Sequence, residues 1–261
     1  MAKLTKLSRS IAGKAAIVTG AGSGIGRATA HLFAEEGAKV AVVDLNAQSV
    51  QTVVDEIVSA GYEAKGFACD VGDAAACKSL VGDVVTAFGR LDILVNNAGV
   101  SFPGGATTPE DEFEQSWQST LAVNLTAHAR LIRAALPHLQ ASGAGRVVNV
   151  ASSEAFVATA GLAAYTATKH GVIGLTRSFA VEVGRTGVNV NCVCPGPIRT
   201  GMTAPIPDDV KDSYAKRRVP LRRYGEPEEV AHGILSLVLP ASSYMNASVL
   251  LVDGGMTIRH P

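Results

Sequence analysis

Apolar and polar positions alternate along the chain in two rhythms. Seven runs rich in Val, Ile, Leu and Ala are short and nearly uninterrupted: 15–20 (AAIVTG), 39–44 (KVAVVD), 64–70 (AKGFACD), 92–99 (DILVNNAG), 145–152 (GRVVNVAS), 188–196 (VNVNCVCPG) and 249–255 (VLLVDGG). Runs of this kind describe strands buried on both faces. Between them lie segments long enough for helices, some with clear boundary signals. Residues 24–36 read as a helix stopped at Gly37, Asp73 can cap a helix running to Phe88, and Pro227 sits near the start of one running toward Leu239. Strands alternating with helices predict an α/β fold: a doubly wound (Rossmann) parallel sheet of seven strands, with helices on both faces and right-handed crossovers. No linker, repeat or low-complexity tract divides the chain, so 1–261 is expected to form one domain. Within it, 1–13 would be an N-terminal arm and 197–220 a loop bordering the substrate. Residues 101–110 (SFPGGATTPE) and 197–220 hold most of the Pro and Gly outside the core elements, and both follow strands on the carboxyl side, where ligands bind in such folds.

Composition narrows the function classes. The 261 residues are 47% hydrophobic and 18% charged, with a formal net charge of zero, which suits a well-buried globular protein and gives no electrostatic reason to expect nucleic acid or an anionic membrane as partner. Apolar runs are too short to span a bilayer. The opening stretch MAKLTKLSRSIAGK is basic but has no apolar targeting core, so a short surface arm and a cytoplasmic location are expected. Cys69, Cys77, Cys192 and Cys194 form no CxxC pattern and the six histidines show no metal spacing, so core packing is expected of the thiols and no metal is called for. Cys192 and Cys194 alternate within a strand and should share one face.

Chemistry first shows at the segment TGAGSGIGR (19–27), between the first strand and first helix. Gly20 permits a tight turn, Gly24 a close backbone approach to a pyrophosphate, and Gly26 close helix packing, while the helix start offers N–H groups to phosphate oxygens. A glycine turn alone can also be a plain strand-to-helix junction. Asp44 ends the second strand eighteen residues past Gly26, where a carboxylate accepts bonds from an adenosine ribose and repels a 2′-phosphate. That combination favours NAD over NADP, although a lone strand-end aspartate also serves as a turn residue. The stretch AAYTATKHG (163–171) places Tyr165 and Lys169 on one helical face. By itself the pair has an ordinary reading as surface residues. NNAG (96–99), Asn124, VNVASS (148–153), Tyr165, Lys169 and PGPIRTGM (195–202), however, all map to the same edge of the expected sheet.

In this order the motifs resemble the short-chain dehydrogenase/reductase family, in its classical branch. The resemblance runs from about Lys14 to Gly255 and rests on TGxxxGxG at 19–26, NNAG at 96–99, a serine thirteen residues before the tyrosine, YxxxK at 165–169, PGP at 195–197 and VDGG at 252–255. It implies that Ser152 polarises a carbonyl, Tyr165 is the acid/base, Lys169 binds the nicotinamide ribose and Asn124 supports a proton-relay water. The dinucleotide would lie against Gly20, Ser23, Gly24, Ile25, Gly26, Asp44, Asp70, Val71, Asn97, Ala98, Gly99, Pro195, Gly196, Ile198 and Thr200, with Tyr165 and Lys169. Ser152 and Ser153 are adjacent; the family spacing selects Ser152, which leaves Ser153 to cap the next turn. The resemblance also implies a homotetramer built on 111–139 and 153–184.

Free tyrosine titrates near 10, so a nearby ammonium and a positive nicotinamide ring should draw Tyr165 toward the working pH. Phe102, Glu154, Phe156 and Met202 fall on loops expected to border a partly apolar substrate pocket. Trp117 is expected in an interface or core. His170, beside Lys169, is the histidine placed nearest the chemistry and should face away. The cluster KRRVPLRR (216–223) suits a solvated face or subunit contact, or an anionic substrate tail. The favoured function is an NAD-dependent oxidoreductase interconverting a secondary alcohol and a ketone. An NADPH-dependent 3-oxoacyl reductase is the alternative, against which Asp44 argues. A non-catalytic dinucleotide sensor or scaffold would not need Ser152, Tyr165, Lys169 and Asn124 together.

Overall fold

The structure is a computed structural model that describes residues 5–259; residues 1–4 of the expected arm lie outside the described residues. The rest of the arm is anchored at its end. Ile11 is fully buried, and the Gly13 N–H donates to the Gly37 carbonyl at 2.8 Å.

Seven parallel strands form one sheet: β1 (Ala15–Thr19), β2 (Lys39–Asp44), β3 (Ala64–Ala68), β4 (Ile93–Asn96), β5 (Arg146–Val150), β6 (Asn189–Pro195) and β7 (Val249–Val252). Their order is β3-β2-β1-β4-β5-β6-β7. The chain therefore winds outward from β1 in one direction and then, from β4, in the other. A crevice opens beyond the carboxyl ends of β1 and β4, where the winding reverses.

The eight helices among the described residues are α1 (Gly24–Glu35), α2 (Ala47–Ser59), α3 (Ala74–Phe88), α4 (Glu110–Leu121), α5 (Ala127–Ala141), α6 (Ala163–Val183), α7 (Asp208–Arg218) and α8 (Pro227–Val238). They cover both faces because strand side chains alternate. Ala16, Val18, Val40 and Val42 pack with Phe33, Val53, Ile234 and Leu237 from α1, α2 and α8. Ala15, Ile17, Ala41 and Val43 turn the other way, toward Val81, Leu131 and Ala180 from α3, α5 and α6. Both strand faces are dry, which accounts for the unbroken apolar runs.

Boundaries follow the expected signals. The Asp73 carboxylate accepts from Ala76 N at 2.6 Å and caps α3, Gly89 in the left-handed region ends that helix, and Pro227 opens α8. Expected strands that ran to 70, 99, 152 and 255 stop earlier, because the chain there leaves the sheet to build the crevice. Two features differ from expectation. The 197–220 segment is not a plain loop: α7 lies within it, so polar that no apolar stripe marks it in the sequence. The long helix expected across 111–139 is interrupted by a π-helical turn at Ala122–Thr126. No helix among the described residues is long and apolar enough to cross a membrane, and among them no three His, Cys, Asp or Glu side chains are grouped to hold a metal.

Candidate active site

The glycine turn is held from beneath. The Asn97 side chain donates to the Thr19 carbonyl at 2.8 Å and the Gly20 carbonyl at 3.2 Å, and the Thr19 hydroxyl accepts from Asn97 N and Ala98 N. A β-carbon at Gly26 would lie 2.1 Å from the Gly20 carbonyl oxygen, so α1 reaches the strand only because residue 26 has no side chain. Gly26 is thus a packing residue behind the crevice. Asn97 faces the crevice, but its amide serves the turn. Ser23 makes no side-chain cap and the first turn of α1 has no acidic residue, so the helix start presents its N–H groups to the crevice.

Asp44 stands across from this turn. Its carboxylate accepts from Gly22 N at 3.0 Å and from Asn46 N at 3.2 Å, leaving acceptor capacity on both oxygens. The nearest cation on α1, Arg27, is bound by both its Nε and Nη2 to Glu56, at 2.9 and 2.5 Å. Beyond Asp44 a slot of about 250 Å³ is walled by Leu45, Cys69, Asp70, Val71 and Val123. Asp70 is locked in a turn by Gly72 N at 2.8 Å. Leu45 and Val123 carry no motif signal and are visible only in three dimensions.

On the other side of the turn the crevice continues as a cavity of about 440 Å³. Its walls join Gly20, Ser23, Gly24, Ile25, Asp44 and Asn97–Gly99 to Ser152, Tyr165 and Lys169, and then to Pro195, Gly196, Ile198, Thr200 and Met202. The expected dinucleotide residues other than Gly26, Asp70 and Val71 therefore share one cavity with Ser152, Tyr165 and Lys169, while Asn124, the fourth expected catalytic residue, is not among its lining. Asp70 and Val71 line the adjoining slot.

Lys169 is 3% exposed, and its ammonium donates to the Val150 carbonyl at 3.0 Å. Burial draws its pKa down to about 8. The Nζ lies 5.4 Å from the centre of the Tyr165 ring. The expected depression of Tyr165 is not produced by the chain's own groups: burial pushes the phenol above its ordinary value, the Ser152 hydroxyl works against that rise, and the Glu154 carboxylate adds to it. Lys169 sits over the ring face and donates its hydrogen bond to the Val150 carbonyl, so burial dominates.

Ser152 lies two residues past the end of β5 in extended backbone, and its Oγ accepts from Glu154 N at 3.1 Å, capping the short turn Ser153–Ala155. The cap is therefore Ser152 itself, not Ser153. Ser153 already lies inside the turn and is buried.

Asn124 sits at the centre of the π-helical turn. Its amide and the backbone of Val100 exchange two hydrogen bonds, both 2.8 Å. Asn124 Oδ1 and Lys169 Nζ lie 3.5 and 3.7 Å from the position a β-carbon would take at Gly99. Asn124 thus stands directly behind the cavity wall and close to Lys169. Asn96 and Asn149 have a structural task, passing a hydrogen bond from β4 to β5 and on to Thr176.

The substrate-side residues part company. Met202 lines the cavity. Phe102 lines a separate hollow with Pro103, Glu112 and Ser116. Phe156 is exposed. The Glu154 carboxylate is held by Thr159 and Thr166. Trp117 is half-buried and stacks on Phe113. In the 216–223 cluster Arg223 pairs with Glu229, while Lys216, Arg217, Arg218 and Arg222 are exposed. Cys192 and Cys194 share a face as expected, their sulfurs 3.9 Å apart. Cys77 is likewise buried, but Cys69 is only partly so.

Sequence reasoning missed His128. His170 is exposed and bonded to Thr166 O, whereas His128, one helical turn after Asn124, is 1% exposed beside the site. Neither ring nitrogen has a hydrogen-bond partner among the described residues. Burial and then the Lys169 charge lower its pKa to about 3; the Ala98 backbone opposes the shift but stands outside hydrogen-bond geometry. Its spacing of four from Asn124 was the available signal.

Known proteins resemble this chain in sequence and fold. A family model described as enoyl-(acyl carrier protein) reductase matches residues 20–257. A (2S)-[(R)-hydroxy(phenyl)methyl]succinyl-CoA dehydrogenase subunit from Thauera aromatica is 39% identical, over 95% of this chain and 98% of its own. A crystal structure from Beutenbergia cavernae, described as an NAD(P)-dependent gluconate 5-dehydrogenase with NADP at low occupancy, is 37% identical and superposes with a TM-score of 0.90, covering 97% of this chain and all of its own. A 7α-hydroxysteroid dehydrogenase in complex with NADH and 7-oxoglycochenodeoxycholic acid is 31% identical with a TM-score of 0.89, covering 95% and 96%. Sheet order, cavity and these matches together make the chain an oxidoreductase that belongs to the short-chain dehydrogenase/reductase family, in its classical branch.

Proposed function

We propose that the protein is an NAD(H)-dependent dehydrogenase interconverting a secondary alcohol and a ketone, with Tyr165 as acid/base. The observation that carries this reading is the single cavity shared by the glycine turn, Ser152, Tyr165 and Lys169. The crevice fits a nicotinamide dinucleotide. The N-terminal N–H groups of α1 would hold the pyrophosphate, Asp44 the adenosine ribose, and the Asp70–Val71 slot the adenine. When bound, that cofactor supplies the carbon that takes up or gives hydride.

The remaining work belongs to the chain. Ser152 presents its hydroxyl to the substrate oxygen. Tyr165 accepts the alcohol proton in oxidation and returns it in reduction. Burial raises its pKa above the ordinary tyrosine value, which favours the protonated phenol that ketone reduction requires. Lys169, lowered to about 8, holds its ammonium between Val150 and the phenol ring and can exchange protons near neutrality. Asn124 fixes the π-helical turn against Val100 and so sets the wall behind Lys169.

Relatives are described with NADP and with NADH. Here Asp44 supports NAD, because the carboxylate faces the ribose end and Arg27 is engaged by Glu56. The same feature argues against an NADPH-dependent 3-oxoacyl reductase. Replacement of Tyr165 by Phe should remove the proton carrier while keeping the ring. Turnover is expected to fall by about a thousandfold or more, with NADH affinity within about threefold of wild type by fluorescence titration. Unchanged turnover would refute the mechanism.

A further inference from the structure

Tyr165 stands in the first turn of α6, and that turn has no side-chain cap. The residue ahead of the helix, Leu162, carries no polar side-chain atom. A helix start leaves backbone N–H groups without intrahelical partners, so a partner must come from elsewhere. Here it comes from another segment. The Ala163 N–H, the first of the helix, donates to the Gly104 carbonyl at 3.2 Å, and the Gly104 N–H donates to the Gly161 carbonyl at 2.8 Å. These two bonds make a parallel β-bridge between Gly104 and Leu162. No step above uses it.

The bridge leaves its backbone little freedom. Gly161 takes a φ of +82°, in the left-handed region that β-branched residues avoid, and a β-carbon there would meet no atom within 4 Å. What residue 161 needs is therefore a backbone conformation, not space. A β-carbon at Gly105 would lie 3.3 Å from the Gly161 α-carbon, and one at Gly104 would lie 3.3 Å from Ser116 Oγ on α4. The 104–105 backbone thus runs between α4 and residue 161 with little room for side chains. It is anchored further on, where Gly105 N donates to Thr108 Oγ1 at 3.0 Å and Thr108 N donates to the Gly105 carbonyl at 3.1 Å. A second tie reaches the same helix start from the turn after Ser152. The Glu154 carboxylate accepts from Thr159 N at 3.1 Å and from Thr166 Oγ1 at 2.9 Å. None of Gly104, Gly105, Glu154 and Gly161 lines the cavity that joins Ser152, Tyr165 and Lys169.

On the dehydrogenase reading of this site, we propose that Gly104 and Gly161 are positioning residues for Tyr165: their bridge seats the first turn of α6 and so sets the phenol against the Ser152 hydroxyl. The pair acts through backbone geometry and touches no substrate. Displacing a reacting group by about 1 Å can cost about a hundredfold in rate, so a disturbed bridge should be felt in kcat rather than in cofactor binding.

The test compares substitutions at one position. Gly161→Val puts a β-branched residue in the left-handed region and should force the backbone ahead of α6 to shift, whereas Gly161→Asn adds a side chain that tolerates this conformation. With a secondary alcohol that wild type oxidises, Gly161→Val is expected to lose about thirtyfold or more in kcat, while NADH affinity by fluorescence titration stays within about threefold. Gly161→Asn should keep kcat within about threefold of wild type, and Gly161→Ala should fall between the two. Should Gly161→Val not fold, Gly161→Ala decides, with an expected loss of about fivefold. Undiminished kcat in the folded Val or Ala variant, or an equal loss in Gly161→Asn, would overturn the proposal. A fall in NADH affinity that matches the fall in kcat would do so as well.

A second measurement needs no turnover. With fluorotyrosine in place of tyrosine, the fluorine NMR signal that disappears in Tyr165→Phe reports on that side chain. It should move in Gly161→Val and return in Gly161→Asn. A signal unmoved in Gly161→Val, or displaced as far in Gly161→Asn, counts against the proposal. If wild type turns over no alcohol or ketone while the signal does move and return, the dehydrogenase reading fails and the bridge still seats Tyr165.

Discussion

The buried side chain of His128 should make this protein less stable in acid. The folded environment draws its pKa from an ordinary 6.5 to about 3, because the ring is fully buried and faces the Lys169 charge. Above pH 6.5 the ring is neutral in both folded and unfolded chains, so the site adds no pH dependence. Below 6.5 the unfolded chain binds a proton that the folded chain refuses, and stability falls until the pH reaches about 3. At pH 5 the unfolded histidine is about 1.5 units below its midpoint, which amounts to roughly 2 kcal/mol lost relative to neutral pH. Other titrating groups contribute as well, so the informative quantity is a difference between two proteins. Urea unfolding followed by circular dichroism, at pH 7.5 and pH 5 and equal protein concentration, would be run on wild type and on His128→Leu. Wild type should lose about 2 kcal/mol more than the variant over that interval. Parallel losses, within about 0.5 kcal/mol, would refute the claim that His128 is held neutral by the fold.

Two further substitutions probe the cofactor end. Asp44→Ala should narrow the preference for NAD over NADP by about tenfold or more in kcat/KM, since it removes both the ribose acceptor and the repulsion of a 2′-phosphate; steady-state kinetics with each cofactor would show it. Gly26→Ala places a methyl 2.1 Å from the Gly20 carbonyl oxygen and 2.6 Å from Asn97 Nδ2. Helix α1 must move, so stability should fall by about 2 kcal/mol or more and NADH affinity with it, as judged by thermal unfolding with and without NADH.

The parts of the fold that could be read in advance have a local cause. The inner strands β1, β2, β4, β5 and β6 are rich in Val, Ile and Ala because both of their faces are dry, whereas the edge strand β3 is largely exposed, and helix starts such as that of α3 carry their own signal in Asp73. Helix α7 has neither. Its sequence, DDVKDSYAKRR, is mostly charged, and only Lys211 and Ala215 are buried. What holds it is a small apolar cluster of Ala215, Val219 and Tyr224, with Tyr214 and Met256 packed against it, and the exposed ion pairs of Arg199 to Asp208, Asp212 and Glu226 add little. Such contacts between segments leave no periodic trace in the chain.

The candidate site divides along the same line. Ser152, Tyr165, Lys169 and the glycine turn could be named because each is set by spacing within one element. The electrostatics could not be, because they depend on which group each polar atom bonds. A lysine four residues from a tyrosine suggests a lowered phenol pKa, yet Lys169 turns its ammonium to the Val150 carbonyl and burial decides the sign for Tyr165. A serine pair suggests that one acts and the other caps, yet Ser152 is placed for both. Glu154 reads as a free carboxylate on a loop bordering the substrate, yet the cavity walls are built without it and two threonines bind its carboxylate. In this molecule motif spacing locates the chemistry, and hydrogen bonds between elements set its charge balance.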